Sequence, residues 1–309
     1  MKKLCMAAAC VGAVLVLSSC DDAGPFDRAR QDFHYSYPLQ PGGRLEIGNA
    51  NGSVAITGWD RNQIDVTGTK YAPSDSELAE IQIKVDVRGD SASIHTEAPR
   101  GMFWGGFSAR YVIRVPKQTV LDRAETTNGS VSIEDLEGGG HVRSTNGQIS
   151  MARDTGDYDV HTTNGSIELN ECSGSERAGT TNGHVRGRLR EGAINARSTN
   201  GGIDLTILKP QDGKPLRVST TNGGITLALA EFHDNTINLE TSNGGVTLRL
   251  PPDTNAQLTA TGSHSRIITD LPLATTGEMG KHDLRGRLGN GGPLISARTS
   301  TGGIHIEKH

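Results

Sequence analysis

Aromatic residues are scarce. The 309-residue chain holds two Trp, five Tyr and five Phe, and ten of these twelve lie between Phe26 and Tyr111. Beyond Tyr111 only Tyr158 and Phe232 remain, which excludes a core built on large rings there. Cysteine is nearly absent as well. Cys5 and Cys10 lie in an N-terminal apolar stretch, Cys20 follows it, and Cys172 stands alone, so no internal disulfide is expected. Cys172 has no neighbouring His or Asn/Asp signature of a nucleophile. Long apolar runs are missing too. The longest, residues 6–17, falls short of the roughly 20 residues a spanning helix needs. Basic charge is in deficit, with 31 Lys and Arg against 35 Asp and Glu. That argues against a nucleic-acid partner and against a polybasic membrane patch.

The N-terminus reads as a signal peptide: Lys2 and Lys3, then the apolar stretch. Leu17-Ser18-Ser19-Cys20 has the form of a bacterial lipoprotein signal. Cys20 is therefore expected to become the acylated first residue of the mature chain, tied to a membrane by its lipid. Several acyl chains, at ~0.8 kcal/mol per buried CH₂, anchor stably where one does not. Loss of Lys2 and Lys3 leaves a mature balance of −6. Asp21 and Asp22 follow the cysteine; an aspartate there resembles an inner-membrane retention signal. The expected location is the cell envelope, facing the periplasm or exterior. The expected division is a signal over 1–19, a linker over 20–40, an N-terminal β region over 41–120 and a repeat array over 121–309.

The array rests on a repeat. Asn-Gly recurs at 128, 146, 164, 182 and 200, a constant step of 18 residues, and again at 222 and 243. An earlier copy is Asn51-Gly52, and Thr301-Gly302 is a late variant. Three and five residues after each Asn the chain is apolar, as at Val131 and Ile133 or Ile225 and Leu227. The intervening position is polar, as at Ser132, Glu168 and Thr226. Period-two alternation means strands with one buried face. Each repeat thus reads as strand, Asn-Gly turn, strand, second turn. A row of antiparallel hairpins satisfies this pattern, and so does a parallel β-solenoid with one coil per repeat. The constant step and the Ser/Thr pairs before the turns favour the solenoid, since identical polar residues stack into ladders along its axis.

Asn128, Asn146, Asn164, Asn182, Asn200, Asn222 and Asn243 are accordingly expected to form a structural ladder pointing into the coil or its corner, not a ligand site. The glycines would supply a positive φ. Replacing Asn164 by Leu would strand its neighbours' buried amides at ~1–3 kcal/mol, and the same change at Asn51, outside the consecutive run, would cost less. Extra residues over 209–215 and 231–235 should protrude at the second turn. A degenerate coil is expected near 258–267, and residues 269–296 interrupt the series. In the N-terminal region, strands are expected over 63–68, 81–88, 91–97 and 109–115, with a short helical turn at 77–80.

Catalytic and metal patterns are not evident. The outward residues three before each Asn run Glu125, Arg143, His161, Gly179, Arg197, Ser219, Glu240 and Arg298, alternating in sign like a solvated face. No column offers the paired carboxylates of a glycosidase. His161, His184 and His305 occupy unrelated repeat positions and lack zinc spacing. No cofactor or metal is expected. One loop stands apart: Phe103, Trp104 and Phe107 on a glycine-rich segment. These aromatics either cap the open solenoid end or contact a partner.

Gly58-Trp59-Asp60, then Ile64-Asp65-Val66, then Tyr111-Val112-Ile113-Arg114-Val115-Pro116 and the Thr-Asn-Gly repeats resemble the adhesin-like β-strand-repeat family, a domain of unknown function. The resemblance spans most of the mature chain. It implies an envelope-associated solenoid and supplies no catalytic residues. The sequence reading is a non-catalytic scaffold or binding module for an envelope protein or glycan. A self-associating structural solenoid is the alternative, and a carbohydrate-active β-helix enzyme is a more distant one.

Overall fold

The structure, a computed structural model, describes residues 29–99, 106–264, 266–275 and 282–309. The signal segment, Cys20, Asp21, Asp22, Phe103 and Trp104 lie outside the described residues.

Valine, isoleucine, leucine and threonine alternate with polar residues, and the chain folds into strands along that pattern. Each coil pairs a strand before the first corner with a strand after it, and in most coils that corner is an Asn-Gly turn. The first two coils in sequence are β2 (Arg44–Asn51) with β3 (Val54–Trp59), and β6 (Ser91–Glu97) with β7 (Ser108–Pro116). Next come β8 (Val120–Asn128) with β9 (Val131–Glu134), and β10 (Gly140–Asn146) with β11 (Ile149–Ala152). β12 (Tyr158–Asn164), β13 (Ile167–Asn182), β14 (Val185–Asn200) and β15 (Ile203–Pro210) continue the stack. β16 (Leu216–Asn222) with β17 (Ile225–Leu229), and β18 (Ile237–Asn243) with β19 (Val246–Leu250), follow. The last coils are β20 (Ala256–His264) with β21 (Ile267–Thr269), and β24 (Leu294–Thr301) with β25 (Ile304–Lys308).

Successive coils pair in parallel and in register. Asn146 lies between Asn128 and Asn164, and Ile149 between Val131 and Ile167. The pre-turn strands form one ladder and the post-turn strands another; β13 and β14 run through the second corner and join them. The fold is a parallel β-solenoid, not a hairpin meander. Its inward residues form one continuous core from Leu39 to Ile306, which the N-terminal region shares with the array.

Order in space departs from order in sequence at both ends. β6 and β7 stack outside β2 and β3. β24 and β25, the last coil in sequence, sit between β18–β19 and β20–β21. Antiparallel strands then cover much of each end: β5 (Gln82–Arg88) lies on β6, and β4 (Gln63–Ala72) on β7 with β1 (Ala29–Pro38) beyond it. At the other end β23 (Asp283–Leu288) lies on β20, with β22 (Leu273–Thr275) beside it. A parallel stack otherwise ends in unpaired N–H and C=O groups, and these strands shorten the open edge. The interrupting segment of the sequence is therefore partly a cap. Phe107 is also buried, 2 % exposed, in a cluster with Ala72, Leu78 and Ile81, where α1 (Asp75–Glu80) closes over β4. It is a core residue and not a partner contact.

Candidate functional site

The coil has two corners of different construction. At the first, each Asn side-chain amide donates to the side-chain oxygen of the Asn one coil before it. Asn146 Nδ2 reaches Asn128 Oδ1 at 2.8 Å, Asn164 reaches Asn146 at 2.8 Å, and Asn243 reaches Asn222 at 2.9 Å. Asn51 is the first rung, since Asn128 donates to it at 2.7 Å. It is in the ladder, because β8 stacks directly on β2 across a long insertion. The seven asparagines from Asn128 to Asn243 are exposed, not buried in the coil. The expected stranding of buried amides at Asn164 therefore does not apply.

A second, buried ladder lies beneath them. The hydroxyl two residues before each Asn donates to the glycine carbonyl of the preceding turn: Thr162 to Gly147 at 2.9 Å, Thr180 to Gly165 at 2.8 Å, Thr241 to Gly223 at 2.9 Å. Asn49 takes this place in the first coil and reaches Gly52 at 3.0 Å and Ala109 at 2.8 Å. The glycines serve close approach more than backbone angle. Gly129, Gly147, Gly165, Gly183, Gly201 and Gly223 are outside the left-handed region. A Cβ at Gly165 would stand 2.1 Å from the Gly147 oxygen. Stacked turns at ~4.8 Å spacing leave no room for a side chain there.

The second corner is irregular. Asp135, Arg153 and Glu171 all hold positive φ there, 58°, 59° and 55°. Arg153 pairs with Asp135 at 2.9 Å and with Glu134. Asp154 is buried and accepts from Leu136 N at 2.9 Å and Ala152 N at 3.1 Å. Burial pushes its carboxyl up to about 7, against the lowering effect of those two hydrogen bonds. Glu176 points inward, in register with Tyr158 and Ile194, and is 3 % exposed. Neither carboxylate oxygen has a hydrogen-bond partner. Burial, and then the charges of Asp154 and Asp157, raise Glu176 well above the usual carboxylate range. Cys172 shares this pocket of the core; burial raises its thiol to about 12, leaving it un-ionised and unreactive at neutral pH. Sequence spacing marked neither Asp154 nor Glu176, although a Glu in a column held by Tyr158 and Ile194 is a signal that column counting could find.

Outside this corner, on the face of β10, β12, β13, β14 and β16, lies a groove of about 550 Å³. His141, Asp159, Arg177, Asn195 and Arg217 stand side by side across it, one from each strand. Lys214 and Pro215 wall one side. That wall is pinned by buried Asn235, whose Nδ2 donates to the carbonyls of Gln211 at 2.7 Å and Lys214 at 3.0 Å. Arg143 and Arg197 project from the same face in the adjoining outward column. Among the described residues none of Arg143, Arg177, Arg197, Lys214 and Arg217 forms an ion pair, whereas Arg123, Arg153, Arg188 and Arg249 do. Asp157 is engaged by Ser175 N at 3.1 Å. The sign-alternating column read from sequence is half of this face. The column two residues earlier adds Arg177 and Arg217, and the two together make a cationic cluster.

The three repeat histidines do not converge. His184 Nδ1 accepts from Gly202 N at 3.1 Å, while His161 and His305 lie on different ladders. Among the described residues no three His, Cys, Asp or Glu side chains gather as a metal site. No helix there is long and apolar enough to cross a membrane.

Solved structures of similar outline include a candidate adhesin from Parabacteroides distasonis ATCC 8503. It is 11% identical with a TM-score of 0.45, covering 92% of this chain and 98% of that one. A candidate adhesin from Bacteroides fragilis NCTC 9343 is 13% identical with a TM-score of 0.40, covering 90% and 97%. A candidate lipid-binding protein from Parabacteroides distasonis ATCC 8503 is 10% identical with a TM-score of 0.34, covering 90% and 96%. Likeness at this level carries no functional argument. No curated protein matches the chain. The model of the Toastrack DUF4097 family matches residues 43–307, nearly the whole solenoid. The chain belongs to the Toastrack DUF4097 family, a domain of unknown function.

Proposed function

We propose that this protein is a non-catalytic, lipid-anchored module of the cell envelope that presents a rigid β face to an envelope protein or glycan. The observation that supports this reading is the in-register array from β8 to β19, which holds outward side chains in fixed rows. Repeat stacks of this kind build extended surfaces from little core. The lipid on Cys20 supplies the anchor, and Asp21 favours retention at the inner membrane.

Two measurements test it. Cys20→Ala is expected to release the chain from the membrane fraction or leave the precursor unprocessed; a variant that processes and fractionates as the wild type would contradict the anchor. Crosslinking in intact cells, read by mass spectrometry, is expected to capture an envelope partner on the β10–β16 face. Size-exclusion chromatography of the full chain addresses the alternative of end-to-end polymers, which the antiparallel strands at both ends disfavour.

A further inference from the structure

We propose that the groove across β10, β12, β13, β14 and β16 binds an extended polysaccharide bearing uronic acid carboxylates. The inference deepens the envelope-module reading and rests on it. Arg177 and Arg217 flank Asn195 in register, two strand steps and so ~9–10 Å apart. A polymer lying along the solenoid axis meets both. The planar guanidinium offers paired donors that match a carboxylate, and neither arginine is held by a protein carboxylate among the described residues. Lys214 adds a third cation at the wall, and Arg143 and Arg197 extend the charge on the same face. Three acids also line the groove: Asp157 is engaged by Ser175 N, Glu176 is buried and held toward its protonated form, and Asp159, between His141 and Arg177 in register, has no hydrogen-bond partner among the described residues. Asp159 suits a sugar hydroxyl.

Asn195 selects among anions. Its Oδ1 is covered and has no hydrogen-bond donor. The terminal amide torsion is soft, so the oxygen can turn into the groove and accept. A uronic acid ring offers a carboxylate for the arginines and hydroxyl donors for Asn195 and Asp159. Polyphosphate offers only acceptors along its chain to a site that also needs donors. The groove is also concave, closed on one side by a pinned loop, and a flat bilayer does not reach its floor. The molecule as a whole is acidic, so the preference arises from this face and not from net charge.

The test is equilibrium binding of the full chain in detergent to polygalacturonate, uncharged dextran, long-chain polyphosphate and phosphatidylglycerol vesicles. Polygalacturonate is expected to bind and dextran not to. Arg177→Gln with Arg217→Gln should weaken binding at least tenfold with an unchanged melting temperature. Asn195→Leu should weaken it severalfold and narrow the margin over polyphosphate. Arg186→Gln with Arg188→Gln, on the post-turn ladder, should leave it unchanged. Absent polygalacturonate binding, full affinity in the Arg177/Arg217 variant, or tighter binding to polyphosphate or vesicles would each overturn the proposal. Cys20→Ala fractionation is read separately. A chain that binds polygalacturonate through the groove but is never membrane-bound sinks the anchor alone. A chain anchored and crosslinked to a partner elsewhere, with no polygalacturonate binding, sinks the groove alone.

Discussion

The two corners of each coil solve the same problem with different chemistry. At the first corner the buried hydroxyls donate to glycine carbonyls and each Asn amide from Asn128 to Asn243 donates to the Asn one coil before it, leaving only the Asn51 amide at the end of the ladder without an acceptor. No buried carboxyl lies there. At the second corner the connection varies in length, three non-glycine residues hold positive φ, and two carboxyls, Asp154 and Glu176, are buried in the core. Stability comes from the corner that repeats. The corner that does not repeat is free to carry a wall, a groove and a proton-linked cluster. The difference matters for reading such chains: identity along a column marks what the stack requires, and departures from identity mark where the outer surface was shaped for something else.

The comparison can be broken at the first corner most severely by Gly165→Ala. The new Cβ meets the Gly147 oxygen, and the expected loss is about 3 kcal/mol or more in a urea melt, up to failure to fold. A change at the second corner should act in the opposite direction. Glu176→Leu replaces an unpartnered carboxyl with the kind of side chain its column carries, and should stabilise at pH 8 by about 1–3 kcal/mol. The pH dependence has a definite sign. Asp154, raised from 3.8 to about 7, and Glu176, raised above 4.5, hold their protons more tightly folded than unfolded. Their stabilising contribution is complete below about pH 4. It is lost as pH rises through about 7 for Asp154, and as pH rises above the ordinary carboxylate range for Glu176. Melts from pH 4 to pH 9 should show a falling slope that Glu176→Leu flattens; a slope unchanged by the substitution would contradict the assignment.

Smaller effects separate the two ladders of the first corner. Thr162→Val removes the donor to the Gly147 carbonyl and should cost about 1–2 kcal/mol. Asn164→Leu breaks an exposed rung and should cost less than about 1 kcal/mol. The same change at Asn51, which is 9 % exposed and accepts from Asn128, should cost at least as much as at Asn164. The opposite ranking of Thr162 and Asn164 would mean that the exposed amides, not the buried hydroxyls, hold the turns.

Much of the fold was legible because stacking forces register, and register forces spacing. The 18-residue step, the apolar columns and the degenerate coil at β20 and β21 all follow from that. Three things were not legible. The exchange of coil order at the ends depends on long-range pairing of β6 with β2 and of β24 with β20, which no local pattern records. The role of the turn glycines from Gly129 to Gly223 is set by a neighbouring coil's carbonyl, not by their own φ. The cationic groove needs two columns and an insertion loop considered together, and one column of alternating charge concealed it.

The most direct test of the two-corner contrast is amide hydrogen exchange of the full chain at pH 5 and pH 8, corrected for intrinsic exchange. Protection at residues 153–157 and 171–176 is expected to fall at the higher pH, as Asp154 loses its proton inside the core beside Glu176. Protection at 128–131, 146–149 and 164–167 is expected to stay level. Equal losses at both corners, or no loss at either, would contradict the claim that one corner is proton-linked and the other is not.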